Sequence, residues 1–552
     1  MTSPPAASPK SRAIRAKDFP GWPARIIIAV CLLAVLVVRA LGQLADPPRP
    51  LNDPALRNLL TLVLSFIAAL TLWIWACFQS PWRKSLQRGL LVTSLALTVL
   101  FFSAFRFVEV SGNMIPRFEP RWSEIHDRAL AKIDAPATQS KIDLRITTPD
   151  DFPQFLGPDR SAWLPTRGLA RDWSVNAPKL LWKRPVGAGW SAFAAVNGYA
   201  VTLEQRGQHE WVACYEIATG EPAWGHAIEA RHEHPLGGIG PRSTPTIHEG
   251  RVFALGATGV LRCLDGASGQ LLWQEDLRAR YGVSQSEDEA LVQWGRASSP
   301  LIVDQLVIVP GGGKSGEAKN LAAFEVATGK LVWQSAVQKA ADESDQISYA
   351  SPRLATVGGI RQVLITNEGT ASGHAPATGK TLWSYIWSGK SNADANSSQV
   401  VPIGESQVML SKGYGGGAEL LELGSQDESG KLGVKSVWKN TRVLQTKFTN
   451  VVVYQSHAYA LSEGILECVE LATGKRKWKQ GRYGHGQILG VGELLLVLAE
   501  DGRVALVEAS PAGFSELGSF QAIDGKTWNN LCLAGHHILV RNGEEAACYE
   551  LP

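Results

Sequence analysis

The sequence predicts an all-β fold, an eight-bladed β-propeller closed by an N-terminal strand and preceded by three transmembrane α-helices. Three observations carry this. A turn-and-tryptophan motif recurs as EIATGEPAW (216–224), DGASGQLLW (265–273), EVATGKLVW (325–333), APATGKTLW (375–383) and ELATGKRKW (470–478). Two short apolar runs precede each copy, and repeats of this period with four strands each are the mark of a propeller. Ahead of the repeats stand three apolar segments, each long enough to cross a hydrocarbon core of about 30 Å.

In chain order, residues 1–20 read as a disordered cytoplasmic tail. Residues 21–110 hold the three spans, about 24–42, 58–78 and 89–108. A cleaved signal peptide would explain only the first. Lys10, Arg12, Arg15, Lys17 and Arg25 precede the first span, and Arg83, Lys84 and Arg88 fill the second loop. The first loop carries only Arg49 and Arg57. The positive-inside rule puts the N-terminus and the second loop in the cytoplasm, and everything after Val108 outside it. In a bacterium that is the inner membrane, with the propeller in the periplasm. Arg39 and Arg106 stand where they can snorkel. Residues 111–150 read as a linker with one helical turn around Ser123 to Ile133.

Residues 151–552 are the propeller. Its anchors are Trp182, Trp224, Trp273, Trp333, Trp383, Trp438 and Trp478, with Phe520 as an eighth. Eight anchors argue eight blades. The last unit, Trp528 to Pro552, lacks a closing aromatic strand, and the strand of Trp182 lacks a blade. Pairing them closes the ring and removes a sheet edge. The alternative is a seven-bladed ring with a stray strand. Gly220, Gly269, Gly329, Gly379 and Gly474 supply the positive φ of a tight turn. The tryptophans then lie on outer strands against the next blade, a structural role.

The balance of 54 basic and 51 acidic residues gives no case for nucleic-acid binding. Cys214, Cys263 and Cys468 precede the motif Gly by six residues, where Ala323 and Gly373 stand in other copies, and Cys548 matches Cys214. These are small core fillers, too far apart for bridges. Cys31 and Cys77 fall in the spans. No spacing signals zinc or a c-type haem.

The repeats resemble those of the pyrroloquinoline quinone (PQQ)-like propeller family. FPQFLGPDR (152–160), GPRSTPTIHEGRVFALGATGVLRCLD (240–265) and EDGRVALVEAS (500–510) resemble a bacterial membrane-anchored subgroup. The wider superfamily, of quinoprotein alcohol dehydrogenase type, includes dehydrogenases and a non-catalytic propeller lipoprotein of outer-membrane barrel assembly. The resemblance implies the fold over 151–552. It leaves two functions open. One is a non-catalytic binding or scaffold module with a protein or small-ligand partner. The other is a PQQ-dependent dehydrogenase passing electrons to membrane quinone. Against the enzyme, the adjacent cysteine pair of quinoprotein alcohol dehydrogenases is missing, and no calcium or catalytic set can be placed residue by residue. PQQ with calcium therefore has no matching site.

The local candidates are weaker. His232 and His234 form a His-x-His pair without a third ligand, on what reads as a solvated loop. His536 and His537 fall on a turn. Gly311 to Ser315 fails phosphate-loop spacing, and Gly413 to Gly417 is a strand connection. No catalytic and no metal-binding residue is assigned. Aligning the blades gives a better site. The residue just before each innermost strand reads Trp190, Arg242, Ala297, Tyr349, Asn396, Phe448, Gly484 and Trp528. Trp190, Arg242, Tyr349, Asn396, Phe448 and Trp528 make a ligand or peptide surface at the channel mouth. The plainer reading is that they plug the channel.

Overall fold

The computed structural model describes residues 20–44, 51, 53–133, 142–314, 316–337, 346–387 and 395–552. They form two compact units, which divide between Ser123 and Glu124. The tail at 1–19, with its four basic residues, and Arg49 and Ser315 lie outside the described residues.

In the first unit, helix α1 is Trp22–Leu41, α2 is Pro54–Ile74 continued by a π-helical turn at Trp75–Gln79, and α3 is Lys84–Ala104. All three are long and apolar enough to cross a membrane. Leu36, Phe66, Val92 and Leu100 are exposed on them. A water-soluble bundle would turn such residues inward. Asp53 caps α2 by accepting from the Ala55 amide at 2.8 Å, with Pro54 pre-set for the first turn.

The expected third span runs too far. α3 stops at Ala104, and Phe105–Val110 is a strand paired antiparallel with Pro116–Pro120. The alternation Phe105, Phe107 suits a strand face, and Arg106 meets Glu119 at 3.2 Å instead of snorkelling. The expected linker thus begins in a hairpin. A helical turn follows at His126–Ala129.

The second unit contains eight antiparallel sheets arranged as blades. Their first strands are Ala194–Val196, Thr246–His248, Leu301–Val303, Arg353–Val357, Val401–Ile403, Val452–Tyr454, Gln487–Val491 and Cys532–Ala534, in blades 1 to 8. First strands of neighbouring blades stand side by side and form the channel wall. Blade 8 is completed by Lys179–Pro185, which pairs antiparallel with Glu545–Glu550. The ring is closed by the N-terminal strand, as expected.

The outer tryptophans work as a set. Trp182, Trp224, Trp273, Trp333, Trp438 and Trp478 each donate their indole N–H to a backbone carbonyl of the next blade: Ile217, Gly266, Val326, Pro376, Leu471 and Ser510, at 2.7–3.0 Å. The motif glycine of the next blade lies under the ring. A Cβ on Gly220, Gly269, Gly329, Gly379 or Gly474 would come within 2.3–2.6 Å of the preceding blade's indole, and all five have φ of 66–73°. Glycine is needed there for backbone conformation and for space.

Blade 5 has no such turn, and Trp383 departs from the pattern. It donates within its own blade to Gln362 Oε1 at 2.6 Å. Each small slot stands across the strand pair from its tryptophan: Cys214 opposite Trp224, Cys263 opposite Trp273, Ala323 opposite Trp333, Gly373 opposite Trp383, Cys468 opposite Trp478 and Cys548 opposite Trp182. The slot is small because the indole fills the space. All seven cysteines are buried free thiols.

The segment that carries FPQFLGPDR is an arm across the channel. Phe152 exchanges two backbone hydrogen bonds with Ala195 at 2.8 Å, Ile247 donates to Pro153, and Gly535 donates to Asp150. Trp163–Leu164 then pairs parallel with the first strand of blade 7. Asn197, Gly492 and Gly535, which follow first strands, all touch this arm. The arm therefore closes the channel end opposite the residues that precede those strands.

Candidate functional site

The residues that precede the first strands are held by a relay of hydrogen bonds around the channel. The Thr244 amide donates to Ser299 Oγ, the Ser299 amide to Ser351 Oγ, and the Gln399 amide to Asn450 Oδ1, at 2.8–2.9 Å. The Gln487 amide group donates to the carbonyls of Phe448 and Trp528, both at 2.8 Å. One blade-7 side chain thus fixes the backbones of blades 6 and 8. These bonds between neighbouring blades set register, while Gln399 Nε2 and Gln487 Oε1 are buried without a hydrogen-bond partner among the described residues.

On this frame the structure gathers three of the six residues into one aromatic run. Trp190 and Trp528 have ring centroids 5.0 Å apart, and Phe448 lies 4.7 Å from Trp528. Phe448 can reach past blade 7 because the equivalent residue there is Gly484. Its Cβ would lie 2.6 Å from Glu500 Oε2. The Lys526 ammonium stands 4.9 Å from the Trp190 ring and 4.3 Å from that of Trp528. Trp528 donates its indole N–H to Glu500 Oε1 at 2.9 Å. His485 packs edge-on to Phe448 at 5.6 Å.

Arg242 continues the run. The Gly237 carbonyl accepts from both Trp190 Nε1 and Arg242, each at 2.7 Å, and Arg242 also donates to the Gly240 carbonyl at 2.6 Å. Burial pushes the Arg242 guanidinium down to about 10, against the pull of nearby Tyr349. Tyr349 is itself 8% exposed and lies tilted against Trp294, with ring centroids 5.2 Å apart.

Asn396 stands apart. It is 1% exposed, and its amide nitrogen is used on the Asn367 and Glu368 carbonyls. Trp190, Arg242, Phe448 and Trp528 thus remain part-exposed, while Tyr349 and Asn396 are packed beneath. Lys526, Glu500 and His485 were not found in the sequence. The first two stand outside the aligned positions, and His485 was hidden one residue past Gly484.

The other candidates resolve as structure. His232 is not on a solvated loop. It is 3% exposed and lies against Gly295, and burial pushes it down to about 3. His234 Nδ1 accepts from the amides of Leu236 and Gly237, at 3.2 Å each. His536 is an exposed turn residue. Gly311 and Gly312 end a strand of blade 3, and Gly417 begins one of blade 5. Among the described residues no group of three His, Cys, Asp or Glu side chains could hold a metal ion. Glu500, the carboxylate named at the mouth, is engaged on an indole, and these mouth residues offer no ligand set for calcium.

A family model described as outer membrane protein assembly factor BamB matches residues 170–369 and 355–511. No curated protein matches the chain. Among solved structures, a europium-containing methanol dehydrogenase is 11% identical, with 74% of this chain and 99% of that one covered and a TM-score of 0.51. BamB from Moraxella catarrhalis is 15% identical, with 68% and 100% covered and a TM-score of 0.45. A quinohemoprotein alcohol dehydrogenase from Comamonas testosteroni is 11% identical, with 74% and 82% covered and a TM-score of 0.41. Likeness at these identities concerns the fold alone.

Proposed function

We propose that this chain, which belongs to the PQQ-like β-propeller family matched by the assembly-factor model, is a membrane-anchored extracytoplasmic binding or scaffold module without catalytic turnover. The observation that carries this reading is the part-exposed run of Phe448, Trp528, Trp190 and Arg242 at one channel mouth. Aromatic and arginine side chains concentrate binding energy when they cluster in a partly desolvated site. The three apolar helices support membrane anchoring. The basic flanks of the first two spans favour a propeller outside the cytoplasm. The partner is a protein segment or small ligand that lies over the mouth.

Photocrosslinking tests this. A photoreactive amino acid at Phe448 should give a discrete adduct in native membranes, and one at His536, on the opposite end, should not. Equal labelling from both positions, or labelling from His536 alone, would overturn the mouth as the docking face.

A further inference from the structure

The C-terminal end of α3 runs directly into a two-sided hairpin, since Phe105 follows Ala104 with no loop between them. Side chains alternate between the faces of a strand. Phe105 stands opposite Pro120 and Phe107 opposite Phe118 on one side, Arg106 opposite Glu119 and Glu109 opposite Arg117 on the other. The irregularity between Phe107 and Glu109 moves Glu109 to the polar side. That side satisfies itself. Arg106 meets Glu119 at 3.2 Å, and Arg117 meets Glu109 at 3.4 Å and Glu119 at 2.9 Å.

The aromatic side stays open. Phe107 and Phe118 are exposed, as is Ile115 at the turn, and Trp122, just past the second strand, is 76% exposed. These rings continue a surface of the helix. Phe101 of α3 lies 5.1 Å from Phe105 and 5.4 Å from Phe118, Phe107 lies 5.9 Å from Phe118, and Phe105 lies 6.4 Å from Trp122. Leu97, Leu100 and Phe101 share an open apolar groove with Phe105.

Three hydrogen bonds tie the hairpin to the ends of two helices. The Arg121 amide donates to the Ala104 carbonyl at 2.7 Å, and Arg121 Nε donates to the Phe102 carbonyl at 2.9 Å, which satisfies the last turn of α3. Asn58, near the start of α2, donates its side-chain amide to the Asn113 carbonyl in the hairpin turn at 2.8 Å. The hairpin therefore lies over the end of the bundle where α2 begins and α3 stops.

A two-stranded sheet leaves its outer N–H and C=O groups unpaired, which bars it from the hydrocarbon core. Such a hairpin is also marginal in water by itself. Aromatic rings next to the end of a membrane-spanning helix are stable at the boundary between headgroups and acyl chains. We propose that the aromatic face of this hairpin rests in that boundary layer, with membrane lipid as its partner. This rests on the three helices crossing a membrane.

Spin-label accessibility of the full chain in phosphatidylcholine nanodiscs tests it. A nitroxide is placed on single Leu95→Cys, Phe107→Cys, Phe118→Cys, Trp122→Cys and Arg117→Cys variants. The seven native cysteines are buried, and the unsubstituted chain gives the labelling background. The ratio of oxygen to nickel-chelate collisions should be highest at Leu95 in α3, lower at Phe107, Phe118 and Trp122, and several-fold lower again at Arg117 on the polar side. If Phe107→Cys disturbs the strand pairing, the labels at Phe118 and Trp122 still decide. Water-like ratios at the aromatic positions beside a lipid-like Leu95 would overturn the hairpin contact alone. Few collisions with either reagent there would mean that protein covers the face, and would overturn it as well. A water-like Leu95 would overturn the membrane reading and the contact with it.

Discussion

The rim and the mouth of this propeller are built on the same repeat and treat it in opposite ways. At the rim, six blades present a tryptophan whose indole N–H goes to the next blade's backbone, over a glycine wherever the turn motif occurs. At the mouth, one position per blade holds Trp, Arg, Ala, Tyr, Asn, Phe, Gly and Trp, in blade order. A position that recurs in most copies answers a demand that those copies share, which is packing against a neighbour. A position that holds seven residue types in eight copies answers to something other than a shared packing demand. Within one chain, the copies thus separate structure from a candidate site.

Three changes probe the comparison from the rim side, in order of size. Removing residues 179–186 takes the last strand from blade 8 and exposes the edge of Glu545–Glu550. The chain should then aggregate, because an open sheet edge templates pairing. Size-exclusion chromatography that showed a monomer with a wild-type melt would break the ring-closure account.

Next is Trp224→Ala, at a ring only 1% exposed. It should cost about 3–5 kcal/mol, read from the denaturant midpoint at fixed slope. Trp182 is half-buried, and Trp182→Ala should cost less than that. The reverse order would mean that closure, and not burial, sets the strength of each joint.

The third change is pH. His374 is fully buried, hydrogen-bonded to Ser372 at 2.9 Å, and desolvation pushes it down to about 4. Its folded value lies below its unfolded one. The neutral ring therefore contributes stability above about pH 6.5, and this is lost as pH falls towards 4. His374→Asn should flatten the stability curve between those values. An unchanged curve would show that other groups govern acid unfolding.

The sequence disclosed the rim because its physics repeats. An Ala-Thr-Gly turn and a Trp four residues later name both halves of a joint, and five copies fix the period. The mouth was legible only as a register. That Tyr349 and Asn396 lie buried depends on Trp294, Asn367 and Glu368, which come from other loops. Lys526 over two indoles is a contact between blades 1 and 8 that no spacing signals. His232 looked solvated because its loop is polar, yet it is packed on Gly295. The hairpin at Phe105–Val110 was hidden by an apolar run that continues past the end of α3. The arm was visible as a resemblance, but its chemistry was not, because Arg160 acts through carbonyls of two blades far away in sequence.

One measurement tests the contrast most directly: partner or ligand capture from native membranes by wild type, by a combined Trp190→Ala, Arg242→Ala, Phe448→Ala and Trp528→Ala chain, and by Trp273→Phe at the rim. Each chain's melt is recorded alongside. The account predicts that the fourfold mouth variant folds and loses capture, while Trp273→Phe lowers the melt and keeps capture. Equal capture by wild type and a folded mouth variant would contradict it, and would move the binding surface away from the channel mouth.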